Sequence, residues 1–354
     1  MLPFSSGSIL LAPMVGITNR AFRTLLEELG SPDYAFTEMA SAEAYIANAP
    51  YESDYTDSNP KPDRTSVQFY SRSAASLAAA CSKLRNNPFQ ELPAGVDINF
   101  GCSAPHIRSK GGGSAWSSDP DLAAELVSAA RAAWPGILSA KIRMGPDEDY
   151  DRLLGFCRRI AAEGLDFLCL HPRRDDQKFK GKARHEYSLR LARDLSCPLV
   201  ANGDITEAAQ ISMLTGRQRA GAAKGEAGAS THTAGADAPG AYAVMIGREA
   251  VRKPWIFSQL HALGSAKSAI PTPAQSIDRL TVGLRFLALA ELYLPEAWQL
   301  ESARRFFSYY CEQFSFAHHI KFKTMNSPSL SAMAETFTAY FGNVPEDRYC
   351  SLDH

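Results

Sequence analysis

Eight short apolar runs punctuate the first 250 residues, and each ends in Gly, Pro or polar positions. They are 8–14 (SILLAPM), 33–39 (DYAFTEM), 65–70 (TSVQFY), 95–101 (GVDINFG), 138–144 (LSAKIRM), 165–171 (LDFLCLH), 197–203 (CPLVANG) and 241–247 (AYAVMIG). Runs of this length with bounded ends read as strands. Between several of them, at 19–30, 74–84, 120–134 and 150–164, apolar residues recur every three or four positions, which predicts amphipathic helices. Strand–helix repetition to a count of eight predicts an α/β fold, a (β/α)8 TIM barrel rather than an open doubly wound sheet. In such a barrel the C-terminal ends of the strands share one rim, so the residues that close each run converge in space.

After PWIF (254–257) the strand signal stops. Segments 274–294 and 299–314 carry helical periodicity and predict a smaller all-helical C-terminal domain. The Ser/Ala/Pro-rich stretch 261–273 marks the boundary, dividing the chain into 1–264 and 265–354. Residues 215–240 are rich in Gly, Ala and Thr without an amphipathic face and read as a flexible insertion before the eighth strand.

Composition narrows the class. With 354 residues the chain can bury a sizeable core, and 37 Lys+Arg against 38 Asp+Glu leave no overall basic surplus, so a polyanionic partner must be met by a local patch. Seven cysteines, at 81, 102, 157, 169, 197, 311 and 350, are odd in number and include no CxxC pair, which argues against a disulfide framework and a structural zinc site. No run reaches the length of a membrane span, and the N-terminal segment lacks the pattern of a signal peptide. The expectation is a cytoplasmic protein without metal or membrane partner.

The clearest ligand signal closes strands seven and eight. VANGDI (200–205) and VMIGRE (244–249) set Gly203 and Gly247 beside Arg248, where barrels commonly hold a phosphate. Gln68, Lys141, Arg143, His171 and Arg173 add amide and cationic groups at other strand ends, of the kind a flavin ring requires. Lys141 sits in an apolar strand, so it needs either a carboxylate neighbour or an electron-rich ligand. Cys102 ends a strand just before glycines 111–113, which makes it a candidate acid or nucleophile, whereas Cys169 and Cys197 read as buried thiols. In the C-terminal part Arg304, Arg305, His318, His319, Lys321 and Lys323 form either a phosphate-contacting patch or a solvated helix face.

The motifs LAPMVGITNRAFR, TEM, SVQFY, DINFGC with downstream KGGGSAW, KIRMG, HPRR with KGKARHE, NGDI and IGREAVRKPWIF, in this order, resemble those of tRNA-dihydrouridine synthases over residues 8–258. The resemblance implies FMN-dependent reduction of uridines in tRNA, with NADPH reducing the flavin, hydride passing to uracil carbon 6 and Cys102 protonating carbon 5. It assigns Pro13, Met14, Val15, Gln68, Lys141, His171, Asn202, Gly203, Asp204, Gly247 and Arg248 to FMN. It assigns Asn99 to the base; Arg173, Arg304 and Arg305 are grouped with it on the tRNA side. A monomer with a helical tRNA-binding domain completes the expectation. Ser103, Pro172 and Lys253 depart from the family pattern. The alternatives are an FMN-dependent oxidoreductase of a free pyrimidine, of dihydroorotate or dihydropyrimidine dehydrogenase type, and a barrel that binds flavin or RNA without catalysis.

Overall fold

Burial on both faces is what lets these runs form strands, and only a sheet covered inside and out provides it. The computed structural model describes residues 2–109, 112–177, 180–216, 240–264 and 276–352. Its strands are β1 (Ile9–Leu11), β2 (Ala35–Ser41), β3 (Thr65–Tyr70), β4 (Gly95–Phe100), β5 (Ile137–Arg143), β6 (Phe167–His171), β7 (Leu199–Asn202) and β8 (Ala243–Ile246). All are parallel to their neighbours, and β8 returns to β1 with Met245 opposite Leu10. Closure between β1 and β2 is thinner. An isolated bridge joins Leu10 to Tyr34, with Leu11 N–H donating to Tyr34 O at 2.9 Å and Asp33 N–H to Ile9 O at 3.0 Å. The result is a nearly closed parallel α/β barrel: the eight expected strands are present and parallel, while the full (β/α)8 closure expected from the sequence is reduced to this bridge between β1 and β2. β1 stops short of its apolar run because Pro13 has no N–H to extend the ladder.

The connections carry α1 (Arg20–Leu29), α2 (Ala42–Ile46), α3 (Glu52–Tyr55), α4 (Ala74–Arg85), α5 (Pro105–Arg108), α6 (Pro120–Ala133), α7 (Tyr150–Ala161), α8 (His185–Asp194) and α9 (Ala208–Thr215). Local chemistry starts them. Asn19 Oδ1 accepts Phe22 N–H at 3.1 Å, and Asp119 Oδ1 accepts Leu122 N–H at 3.1 Å with Pro120 at the first helical position. After β2 the repeat is irregular, with two short helices in place of one long one.

Past β8 come α10 (Arg248–Arg252), α11 (Ile256–Gly264), α12 (Arg279–Tyr293), α13 (Glu296–Tyr310), α14 (Ala317–Met325) and α15 (Leu330–Asn343). This part is not all-helical. β9 (Ser276–Asp278) pairs antiparallel with β10 (Tyr349–Ser351), so the helix expected over 274–294 begins only at Arg279, where Asp278 Oδ1 caps it by accepting Leu280 N–H at 3.0 Å. Strands of three residues are too short to show a period, which is why the pattern hides them.

The core falls into three clusters. Leu10, Phe36, Phe167, Val200 and Met245 fill the barrel interior, and a second cluster lies between β3–β6 and their covering helices. The third is continuous from α1 into the C-terminal helices and includes Phe22, Leu26, Phe286, Phe306 and Tyr310. Phe286 and Phe306 stack at 4.0 Å between ring centroids. Residues 265–275, where the expected domain boundary falls, and 217–239, most of the expected insertion, lie outside the described residues. Among the described residues no helix is long and apolar enough to cross a membrane.

Candidate active site

Side chains alternate across a strand, so the outer core dictates what faces inward. Val67 and Phe69, Val96, Ile98 and Phe100, and Leu138, Ala140 and Ile142 pack outward from β3, β4 and β5. Gln68, Asp97, Asn99, Ser139, Lys141 and Arg143 are thereby turned toward the lumen. The register places Gln68 opposite Asp97, Asn99 opposite Lys141, and Arg143 opposite His171. At the C-terminal rim these side chains open into a cavity of about 590 Å³.

The rim residues expected from the sequence meet at this cavity. Pro13, Met14 and Val15 come from the β1–α1 loop, Gln68 from β3, Asn99 and Cys102 from β4 and its loop, and Lys141 from β5. His171 and Arg173 come from β6 and the loop after it, Asn202, Gly203 and Asp204 from the end of β7, and Gly247 and Arg248 from the end of β8. Arg305 of α13 reaches the mouth, but Arg304 does not line the cavity; its Nη2 donates to Ser327 O at 2.9 Å. Pro172 leaves His171 in register with β5.

Charge is concentrated on one side. Lys141 keeps part of its surface open to the cavity, and no carboxylate lies within ion-pair distance of it among the described residues. Burial lowers its affinity for a proton, with Arg143 adding to that effect and Cys169 and Asp97 opposing it. His171 is held neutral by burial and by Lys141, Arg143, Arg173 and Arg248 around it. Its Nε2 accepts from Arg173 Nη1 at 2.9 Å, which leaves the proton on Nδ1.

Arg173 is only 2 % exposed and is already engaged. Besides His171 it donates through Nη2 to Asp204 Oδ2 at 2.5 Å and to Gly181 O at 2.6 Å. Asp204 also accepts Ala183 N–H at 2.8 Å and pairs through Oδ1 with Arg248 at 3.3 Å. Burial opposes ionisation of Asp204, but the Ala183 bond and the Arg173 and Arg248 guanidinium groups outweigh it and hold the carboxyl below its ordinary range. Gly203 beside it has φ +115°, and a Cβ there would stand 2.7 Å from His171 Cδ2 and 2.9 Å from Ala183 Cβ. Only glycine fits. Asn202 Nδ2 donates to Met245 O at 2.8 Å, tying the ends of β7 and β8 together.

Cys102 is half-buried and sits on a turn built by its neighbours. Asn99 Oδ1 accepts Cys102 N–H at 2.8 Å and Gly101 N–H at 3.1 Å, and Cys102 O accepts Ser114 N–H at 2.9 Å. Gly113, with φ +59°, passes so close that any Cβ would collide with Cys102 O. The glycine run thus lets the loop pack against the cysteine; Gly111 lies outside the described residues.

The opposite wall, residues 13–18, is clamped from two directions. Glu38 Oε2 accepts Gly16 N–H at 2.5 Å from the barrel side, while Arg305 Nη1 donates to Val15 O at 3.4 Å from α13. Met39, Ser308 and Tyr309 also line the cavity and were not singled out by sequence. For the last two a signal existed: with Arg305 they stand at i, i+3 and i+4 of one helical face.

Fold and site together define a parallel α/β-barrel protein with a ligand cavity lined by lysine and arginine side chains at its C-terminal rim. The family model described as dihydrouridine synthase matches residues 10–339, and the chain belongs to that family. It is 29 % identical over 316 residues to a "Probable tRNA-dihydrouridine synthase" of Mycobacterium tuberculosis, covering 86 % of this chain and 75 % of that one. It is 28 % identical over 340 residues to "tRNA-dihydrouridine synthase B" of Yersinia pestis, covering 95 % and 96 %. To a "Probable tRNA-dihydrouridine synthase" of Rhodobacter capsulatus it is 30 % identical over 310 residues, covering 86 % of each.

Proposed function

We propose that this protein reduces uridines in tRNA to 5,6-dihydrouridine, with FMN as cofactor and NADPH as reductant. The observation that carries the reading is the meeting of a half-buried thiol, Cys102, and an ammonium without a carboxylate partner among the described residues, Lys141, in one rim cavity of a dihydrouridine synthase family member.

The residues present fit FMN. The cavity of about 590 Å³ lies within the range of roughly 300–1,000 Å³ usual for ligand pockets. Lys141 and Gln68 would hold the polar edge of the ring, and Gly203, Gly247 and Arg248 the phosphate, where a bare backbone and a guanidinium suit its oxygens. Pro13, Met14, Val15, His171, Asn202 and Asp204 would complete the contacts. When bound and reduced, FMN supplies the hydride that uracil carbon 6 receives.

Cys102 Sγ gives its proton to carbon 5, completing the addition of two hydrogens, and is reprotonated from solvent. Asn99 orients the ring: its Nδ2 gives one N–H to Gln68 Oε1 at 2.9 Å, while the second, which among the described residues meets Met39 Sδ alone at 3.5 Å, serves a base carbonyl. Arg305 and Tyr309 at the mouth offer a phosphate contact and a stacking face to RNA, whose target base must leave its stack to enter.

Purified protein should be yellow, and tRNA from cells lacking it should lose dihydrouridine that the protein restores in vitro with NADPH. Cys102→Ala should keep FMN and its reduction by NADPH while slowing tRNA turnover by about 100-fold or more. Reduction of free orotate or uracil with tRNA left untouched would instead establish the free-pyrimidine reading.

A further inference from the structure

One buried acid is left over from the reaction as described. Asp97 lies on β4, wholly buried below the cavity it does not line, with Ser139 Oγ donating to its Oδ1 at 2.5 Å. Gln68 Nε2 donates to its Oδ2 at 2.7 Å; Gln68 Oε1 then accepts Asn99 Nδ2, and Asn99 Oδ1 accepts the N–H groups of Gly101 and Cys102. The chain of amides has two fixed ends. An ionised carboxylate only accepts and a backbone N–H only donates, so each amide between them has one permitted orientation. Reversing Gln68 would set its carbonyl oxygen against the carboxylate and its NH2 against Asn99 Nδ2, two buried mismatches at once.

We propose that Asp97 is a positioning residue for Cys102, acting through the oriented amides of Gln68 and Asn99 on the turn that holds the thiol. The inference rests on the reading that Cys102 is the proton donor, and it adds a residue that touches neither base nor cofactor. The carboxylate makes the first link, to Gln68 Nε2, a charge-assisted bond, so it fixes from below the order that the backbone N–H groups require from above.

Asp97→Asn keeps the shape but removes the charge that holds Gln68 Nε2, and when the new amide presents its own NH2 there the chain breaks at its first link. In the FMN-loaded, full-length protein the rate of Cys102 alkylation by iodoacetamide, followed by mass spectrometry from about pH 6 to 10, should change by about fivefold or more. Single-turnover reduction of tRNA by the pre-reduced enzyme should slow by about 100-fold, the scale of a misplaced reacting group, while reduction of the flavin by NADPH stays within about threefold. Wild-type alkylation and turnover in Asp97→Asn overturn the proposal. Should that variant fail to fold, Gln68→Met interrupts the same chain, and wild-type alkylation kinetics in it overturn the proposal equally. Absence of tRNA reduction by the wild-type enzyme would defeat the functional reading alone, because the alkylation kinetics still judge the role of Asp97.

Discussion

Glu38, 4 % exposed beneath the β1–α1 loop, shows how one side chain ties site to stability. Burial pushes its carboxyl from an ordinary 4.5 up to about 7, against the opposing pull of Gly16 N–H, Arg23 and Arg305. Between those values the folded chain holds a proton that the unfolded chain has released. Stability therefore falls as pH rises through this window, by a total on the order of 3 kcal/mol. Asp97, raised to about 6 chiefly by burial, acts in the same sense. Glu38→Gln should keep the bond from Gly16 and flatten the fall in melting temperature between about pH 5 and 8; an unchanged pH slope would refute the assignment. Gly203→Ala should cost both stability and FMN retention, because φ +115° and the Cβ collision with His171 are penalised together. At this scale much was legible. Gly203, Lys141 and Cys102 announce themselves by residue type at a strand end. Glu38 and Asp97 do not, since a single acid in an apolar run says nothing of what it will be paired with.

Among the elements, the strands were the most readable, because alternation within TSVQFY, GVDINFG and LSAKIRM already separates the outward apolar set from the inward polar one. Helix faces were harder. Sequence grouped Arg304 with Arg305 as adjacent cations, yet neighbours on a helix point about 100° apart, and the packing of α13 sends one to Ser327 and the other to the cavity mouth. Arg305→Ala should raise the KM for tRNA and make the log–log salt dependence of binding shallower by about 0.7–0.9. Arg304→Ala should leave both unchanged; equal effects of the two would contradict the placement. Lys321 is paired with Glu312 at 3.4 Å and Arg305 with Glu301 at 3.3 Å, both exposed pairs that a phosphate can compete for, but Arg305 alone of the two stands at the cavity mouth.

For the molecule as a whole, the third core cluster makes barrel and C-terminal helices interdependent. Phe22 of α1 packs beside Phe286 and Phe306, and Asn19, the cap of α1, donates to Ser302 Oγ of α13 at 2.9 Å. Unfolding should follow one cooperative transition, and Phe306→Ala should lower stability by about 3–5 kcal/mol. Two resolved transitions in calorimetry, or a stably folded fragment 1–264, would contradict a shared core. The eight-strand barrel, the strand ends that build the rim and the residue types gathered there were all determined by the sequence alone, because hydrophobic period and turn residues act over a few neighbours. What only the tertiary structure decided depends on partners far apart in the chain. It brought Asp97, Gln68 and Asn99 into one hydrogen-bonded line, set Glu38 under Gly16, paired β9 with β10 across the length of the C-terminal helices, and chose which face of α13 meets the cavity. No local pattern encodes such contacts; they exist only once the barrel has closed and its outer helices have found the surface they bury.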